Sequence, residues 1–235
     1  MPEATQPTTQ NKILAALPAG EYDRLSGRLT PVPLTHGATL YEQQGRIDYV
    51  YFVTEGVVSQ VTDLEDGGSV EVGLVGREGM VGYPVALGDD VAQSRAIAQI
   101  PGGAMRIGAA ALTEELRRGG RLQSLLHRYT LAAHKQTSQT AACNRGHNLG
   151  ERLARWLLMC HDRVEGDELK LTQEFIAQML GTRRSGVSEA AILLQAAGLI
   201  RYSRGHITIL DREGLEEFAC ECYGVVRAEF ERLLG

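Results

Sequence analysis

Residues 169–210, LKLTQEFIAQMLGTRRSGVSEAAILLQAAGLIRYSRGHITIL, hold the side chains best suited to one definite chemistry. Arg183 and Arg184 stand in the run Thr182-Arg183-Arg184-Ser185, and an arginine fork donates two hydrogen bonds to the edge of a guanine. Either arginine suits direct readout of a base. Arg201, Arg204 and Lys170 flank the run, and point charges there suit phosphate oxygens. Reading a base edge requires a helix that enters a groove, so the surrounding pattern decides the matter. Thr172 is a fitting N-cap, Glu174 suits the positive end of a helix dipole, and Phe175, Ile176, Met179 and Leu180 recur at helical spacing. Gly181 ends that helix, because glycine tolerates the left-handed conformation of a tight turn. Thr182 is expected to cap a second helix with Val187, Ala190, Ala191, Leu194 and Ala197 on its apolar side. Two short β-prone runs then surround Ser203-Arg204-Gly205 as a hairpin. A helix-turn-helix followed by a hairpin is a winged helix, and its second helix is the one that meets bases.

The rest of the chain must position this element. At 235 residues there is room for two cores. The formal net charge of −5 argues against a protein coated for non-specific nucleic-acid binding. Residues 145–210 hold nine Lys/Arg against seven Asp/Glu, or +2, which leaves 15 against 22, or −7, elsewhere. A mildly basic C-terminal part on an acidic body suits a local DNA contact. Residues 1–10 read as a flexible arm. Residues 11–29 predict one or two short helices interrupted at Pro18-Ala19-Gly20. From 29 to about 107 short β-prone runs alternate with turn signals at Gly45, Glu55-Gly56, Asp66-Gly67-Gly68, Gly76 and Gly88-Asp89-Asp90, the texture of an antiparallel roll able to enclose a pocket.

Leu122, Tyr129, Gln136 and Cys143 fall seven apart, with Leu125, Ala132 and Gln139 between them. That heptad seam predicts a long helix; a lone helix against the roll would give a similar stripe, and the small and amide side chains along the seam favour a parallel homodimer. Asn144-Arg145-Gly146 reads as a hinge, followed by a helix with Leu149, Leu153, Trp156, Leu157 and Cys160 on its apolar face. A final helix carries Leu215, Phe218, Ala219, Cys222, Tyr223, Val226, Phe230 and Leu233 on one broad stripe. The expected class is α+β, divided into a sensor roll over 11–119, a dimerisation helix and hinge over 120–146, and a winged helix-turn-helix domain with a helical extension over 147–235.

Roll, long helix and winged helix in this order resemble the Crp/Fnr family of bacterial transcription regulators. The resemblance is most specific at LTQEFIAQMLGTRRSGVSEA and LQAAGLIRYSRGHITI. It implies a dimer on DNA with one recognition helix per subunit in successive major grooves. By motif position, Thr172, Gln173, Thr182, Arg183 and Arg204 would meet phosphates and Arg184 would read a guanine, with Ser188 also on the interface. Ser185 and Glu189 depart from the best-known pattern, where an acidic base-reader and a second arginine are common, so a different operator is expected. The implied partners are double-stranded DNA, a second copy of the chain and RNA polymerase.

Members that bind cyclic nucleotides pair a Gly-Glu with a later Arg-Ser or Arg-Thr. Here Gly82 is followed by Tyr83-Pro84, and Arg95 follows Ser94, which in a strand turns the side chain to the other face. No cyclic nucleotide is expected. Arg77, Glu78, Tyr83 and Arg95 remain candidates for some other small effector. No metal site is assigned: Cys143 and Cys160 read as small core residues, and Cys220-Glu221-Cys222 lacks partners nearby in sequence. No membrane span or signal-peptide pattern occurs, so a cytoplasmic protein is expected. Nucleophile-elbow, P-loop and zinc-protease motifs are absent, so no enzymatic activity is expected. The alternative is a ligand-binding or protein-interaction module whose winged helix contacts a protein.

Overall fold

The computed structural model describes residues 10–235; the arm read from residues 1–10 lies, but for its last residue, outside the described residues. The described residues separate into two compact units, one of 10–58, 75–131 and 233–235 and the other of 59–74 and 132–232. The division therefore falls within the long helix, not at its ends, and the second unit takes in a β-hairpin from the roll. Among the described residues no helix is long and apolar enough to cross a membrane.

In the first unit, α1 (Lys12–Ala15) and α2 (Ala19–Ser26) break at Pro18 as the sequence predicts. Asn11 is fully buried. Its Oδ1 accepts from the Ile13 and Leu14 N–H groups, and its amide donates to the Val53 and Gly79 carbonyls, both at 2.8 Å. The roll comprises β1 (Thr30–Leu34), β2 (Thr39–Tyr41), β3 (Tyr49–Asp63), β4 (Ser69–Val75), β5 (Met80–Val81) and β6 (Arg95–Gly108) in the order β1-β6-β3-β4, with β2 on β6 and β5 on β3. Glu55-Gly56 is not a turn: β3 runs straight through it. Gly56 has φ +81°, and a side chain there would lie 2.5 Å from the Ile100 carbonyl oxygen; one at Gly102 would lie 2.2 Å from that of Glu55. Glycine in a strand here marks two backbones in close approach, a signal easily taken for a turn. A 3₁₀ turn over Tyr83–Leu87 and helix α3 (Ala109–Leu116) follow β5 and β6 respectively.

Helix α4 (Arg121–Gly146) is the predicted long helix, and it includes Asn144, Arg145 and Gly146; the break comes at His147 and Asn148, where Asn148 starts a new capping box with Glu151. The predicted seam is corrected by its surroundings. Leu122, Leu125, Tyr129, Ala132, Gln136 and Cys143 are buried by the chain itself. Tyr129 fills the space over Gly79, the Gln136 Oε1 accepts from the Leu74 N–H at 2.7 Å, and Cys143 meets Cys220. The open face is Ser124, His127, Leu131, His134, Ser138, Ala141 and Arg145, again three and four apart, with Leu131 52% exposed.

The second unit continues with α5 (Leu149–His161), β7 (Glu168–Lys170), α6 (Gln173–Met179), α7 (Arg184–Ala196), β8 (Ile200–Ser203), β9 (His206–Ile209), α8 (Arg212–Phe218) and α9 (Cys222–Leu234). Trp156, Leu153, Leu157, Ile176, Val187, Leu194 and Ile207 are buried in this unit. The tail, which the apolar stripe predicts as one helix, is two, broken at Ala219, which takes an extended ψ of 154°.

Candidate nucleic-acid interface

The helix-turn-helix is assembled by local chemistry. Thr172 Oγ1 accepts from the Phe175 N–H at 3.2 Å and so caps α6, as its position predicts. Gly181 turns the chain with φ +58°, and the Arg152 guanidinium donates to the Leu180 carbonyl at the end of α6. Thr182 is not the cap of α7: Arg183 holds that position, without a side-chain cap bond. Val187, Ala190, Ala191 and Leu194 face inward, whereas Ala197, expected on the same side, is exposed as the C-cap. Arg204 and Gly205 both have positive φ, 50° and 80°, which makes a two-residue turn whose twist suits the flanking strands. β8 and β9 pair across it from Ser203↔His206 to Ile200↔Ile209, and β7, a strand too short to show in the sequence pattern, adds a third beside β9.

Side-chain bonds fix these pieces to one another. The Ser188 hydroxyl on α7 donates to Gln173 Oε1 at the start of α6, 2.8 Å away. Gln195 Oε1 on α7 accepts from the Tyr202 N–H at 2.9 Å, and the Tyr202 hydroxyl donates to the Leu171 carbonyl at 2.9 Å. Wing, first helix and second helix are thereby tied at three points. Thr172, Gln173, Arg184, Ser188, Tyr202 and Arg204 line one shallow groove, while Thr182, Arg183, Arg184, Ser185 and Glu189 line the next, with Arg184 on the shared edge.

Charge on this face differs from that nearby. Arg212 pairs with Asp162 at 2.6 Å and with Glu216, and Arg227 and Arg232 also have carboxylate partners. Arg183, Arg184 and Arg204 are exposed and form no ion pair among the described residues. Glu189 is exposed beside them and is the one anion of the predicted set. An exposed helix start with unpaired guanidinium groups can take phosphate oxygens or base edges.

The effector candidates lie on different elements of the roll. Arg77 is exposed in the turn before β5, where Glu78 Oε1 accepts from the Gly76 N–H. Tyr83 opens the 3₁₀ turn, and burial pushes its hydroxyl above the usual tyrosine range. Arg95 opens β6 with Glu42 at 3.9 Å. The partners missing from Cys220-Glu221-Cys222 in the sequence are supplied by folding: Cys143 and His147 stand against both cysteines. The i, i+4 spacing of Cys143 and His147 at a helix end was the available signal.

Two family models match the chain. Residues 31–118 match the cyclic nucleotide-binding domain, and residues 151–218 match the Crp-like helix-turn-helix domain. No curated protein sequence matches it. Among solved structures, FixK2 from Bradyrhizobium japonicum is similar over 82% of this chain and 98% of its own, at 19% identity and a TM-score of 0.70. The c-di-GMP responsive global regulator CLP of Xanthomonas campestris is similar over 82% and 99%, at 16% identity and a TM-score of 0.66. A Crp-family transcriptional regulator of Thermus thermophilus is similar over 80% and 96%, at 23% identity and a TM-score of 0.65. At these identities the likeness is one of fold.

Proposed function

This chain belongs to the Crp/Fnr family of transcription regulators, which are not enzymes, and from that premise we propose that it is a homodimer reading a two-fold symmetric DNA site through one α7 helix per protomer. The observation that carries this reading is the set of three exposed, unpaired guanidinium groups, Arg183, Arg184 and Arg204, around the start of α7 and the tip of the wing. Arg184 reads a guanine edge. Arg183 and Arg204 neutralise phosphates, and Thr172, Gln173 and Thr182 approach the backbone beside them. Ser185, Ser188 and Glu189 follow along the same helix, and Glu189 disfavours a phosphate or a base acceptor at its position. A second copy packs along the open face of α4, where Ser124, Leu131, Ser138 and Ala141 permit close approach. RNA polymerase is the partner of the DNA-bound dimer. The roll senses a ligand other than a cyclic nucleotide, because Tyr83-Pro84 provides no carboxylate for a ribose hydroxyl. Such a ligand regulates only if it binds one dimer arrangement better than another.

Selection of bound duplexes from a random pool tests the reading. The expected result is a two-fold symmetric consensus with half-sites about one helical turn apart. Arg184→Ala then relaxes one guanine position, and Leu131→Asp shifts the protein toward monomer in sedimentation and weakens binding. Affinity that does not fall with log salt would overturn DNA binding and favour a protein partner for the winged helix.

A further inference from the structure

Three thiols and an imidazole from two distant stretches of sequence meet inside the second unit. Cys143 lies in the last turn of α4 and His147 directly follows that helix; Cys220 lies between α8 and α9, and Cys222 begins α9. One ligand atom from each lies within 4.8 Å of the other three. The Cys143 and Cys220 sulfurs are 3.5 Å apart, and Cys222 Sγ is 3.6 Å from His147 Nδ1. A tetrahedral ion with zinc–sulfur bonds of about 2.3 Å and zinc–nitrogen bonds of about 2.0 Å has edges of about 3.8 Å between sulfurs and about 3.5 Å between sulfur and nitrogen. These two separations are close to those edges, and the other four lie within 4.8 Å. A four-iron cluster, which holds each thiolate on its own iron, spreads its ligands farther than this.

We propose that Cys143, His147, Cys220 and Cys222 form a tetrahedral Cys₃His site for a single thiophilic divalent cation, with Zn²⁺ as the fitting ion. The break between α8 and α9 is what makes the site. In a continuous helix, residues two apart point about 200° apart, so Cys220 and Cys222 would diverge. Instead both sulfurs turn inward and are buried with Cys143.

The surroundings are those of a metal site as well. His147 Nε2 lies 3.1 Å from the Glu221 carboxylate, which fixes the ring and leaves Nδ1 toward the sulfurs. Carboxylate-oriented histidines of this kind are the usual outer support of a bound ion. Gln139 Nε2 donates to Cys222 Sγ at 3.1 Å, a bond that strengthens when the sulfur is a thiolate. Three thiolates and a dication carry a net charge of −1. The buried Arg155 acts electrostatically on Cys143, and its Nε and Nη1 have no hydrogen-bond partner, as does Nε of Arg152. Cationic side chains with spare donors offset the charge of such a site. An occupied site would pin the first turn of α9 to the junction of α4 and α5, which is the joint in front of the winged helix.

The full chain, purified under reducing conditions, should contain about one zinc per protomer by elemental analysis. Exchange for Co²⁺ should give the ligand-field bands of a tetrahedral ion and thiolate-to-metal charge transfer. Cys222→Ser and His147→Ala should each abolish stoichiometric binding. Glu221→Gln, outside the ligand set, should weaken affinity by about 10–100-fold while keeping the spectrum. Cys160→Ala, which removes a buried cysteine elsewhere on α5, should leave both unchanged. Circular dichroism of each variant separates loss of metal from loss of fold. Folded, reduced protein that takes up neither ion, a tetrahedral spectrum insensitive to Cys222 and His147, or a Cys143–Cys220 disulfide that leaves no cobalt binding after reduction would each overturn the site.

Discussion

Glu71 lies on β4, buried beneath α5, and its Oε1 accepts from Trp156 Nε1 at 2.8 Å while Oε2 has no hydrogen-bond partner. Burial pushes its pKa up to about 7, against smaller opposing effects from hydrogen bonds with Ser59 and Trp156 and from the charges of Arg155 and Arg163. The sign of the consequence follows from linkage. Between about pH 4.5 and pH 7 the folded chain holds a proton that the unfolded chain has released, so stability is full below that window and falls as pH rises through it. A shift of about 2.5 units at 1.36 kcal/mol each is worth about 3 kcal/mol. Glu71→Gln keeps an acceptor for the indole and cannot ionise. Its stability relative to the wild type should therefore rise by about 3 kcal/mol between about pH 5 and about pH 8. Trp156 is the only tryptophan in the chain, so its fluorescence follows urea unfolding of the unit that contains Glu71. The comparison must be made at one protein concentration, because any self-association would add to apparent stability. Parallel pH profiles for the two proteins would refute the assignment of a neutral, buried Glu71.

Arg204→Ala should weaken DNA binding about equally for specific and random duplexes and reduce the slope of log affinity against log salt by about 1, measured by fluorescence anisotropy. Asn11→Ala removes a helix cap and leaves the buried Val53 and Gly79 carbonyls without their donor, a loss on the order of 3 kcal/mol in denaturant unfolding of the first unit. Gly102→Ala forces a methyl group onto the Glu55 carbonyl oxygen and should cost about 1–3 kcal/mol or more in the same assay, whereas Gly20→Ala, with open space around it, should cost little.

Features written in adjacent residues were the legible ones. Thr172, Gly181 and the Arg204-Gly205 turn act within four residues of themselves, so cap, turn and wing follow directly from their types. Glu55-Gly56 misleads because a glycine needed for close approach to β6 looks, along the chain, the same as one needed for a turn. The cysteine cluster was hidden by distance. Cys143 and Cys220 are 77 residues apart, and only the break after α8 turns Cys220 and Cys222 to the same side.

The seam of α4 shows the deeper limit. Hydrophobic periodicity reports that a face is covered, not by what. Leu122, Tyr129, Gln136 and Cys143 form the stronger stripe because they serve the chain's own cores, and three of them each meet a specific feature: the glycine at 79, the Leu74 backbone, the Cys220 thiol. Those contacts occupy the face and remove it from use by a partner. What remains open has the same three-and-four spacing but is built from Ser124, His127, Leu131, His134, Ser138 and Ala141. In a hydropathy pattern these residues look like a solvated surface, and only the buried opposite face singles them out. A dimer formed there would gain little from burial per residue and would depend on close packing of small side chains around Leu131, the most apolar group on that face. The cost of Leu131→Asp should accordingly appear in the monomer–dimer equilibrium and not in the folding of the protomer. A protomer that unfolds before it dissociates would place Leu131 in a core and deny the open face its partner.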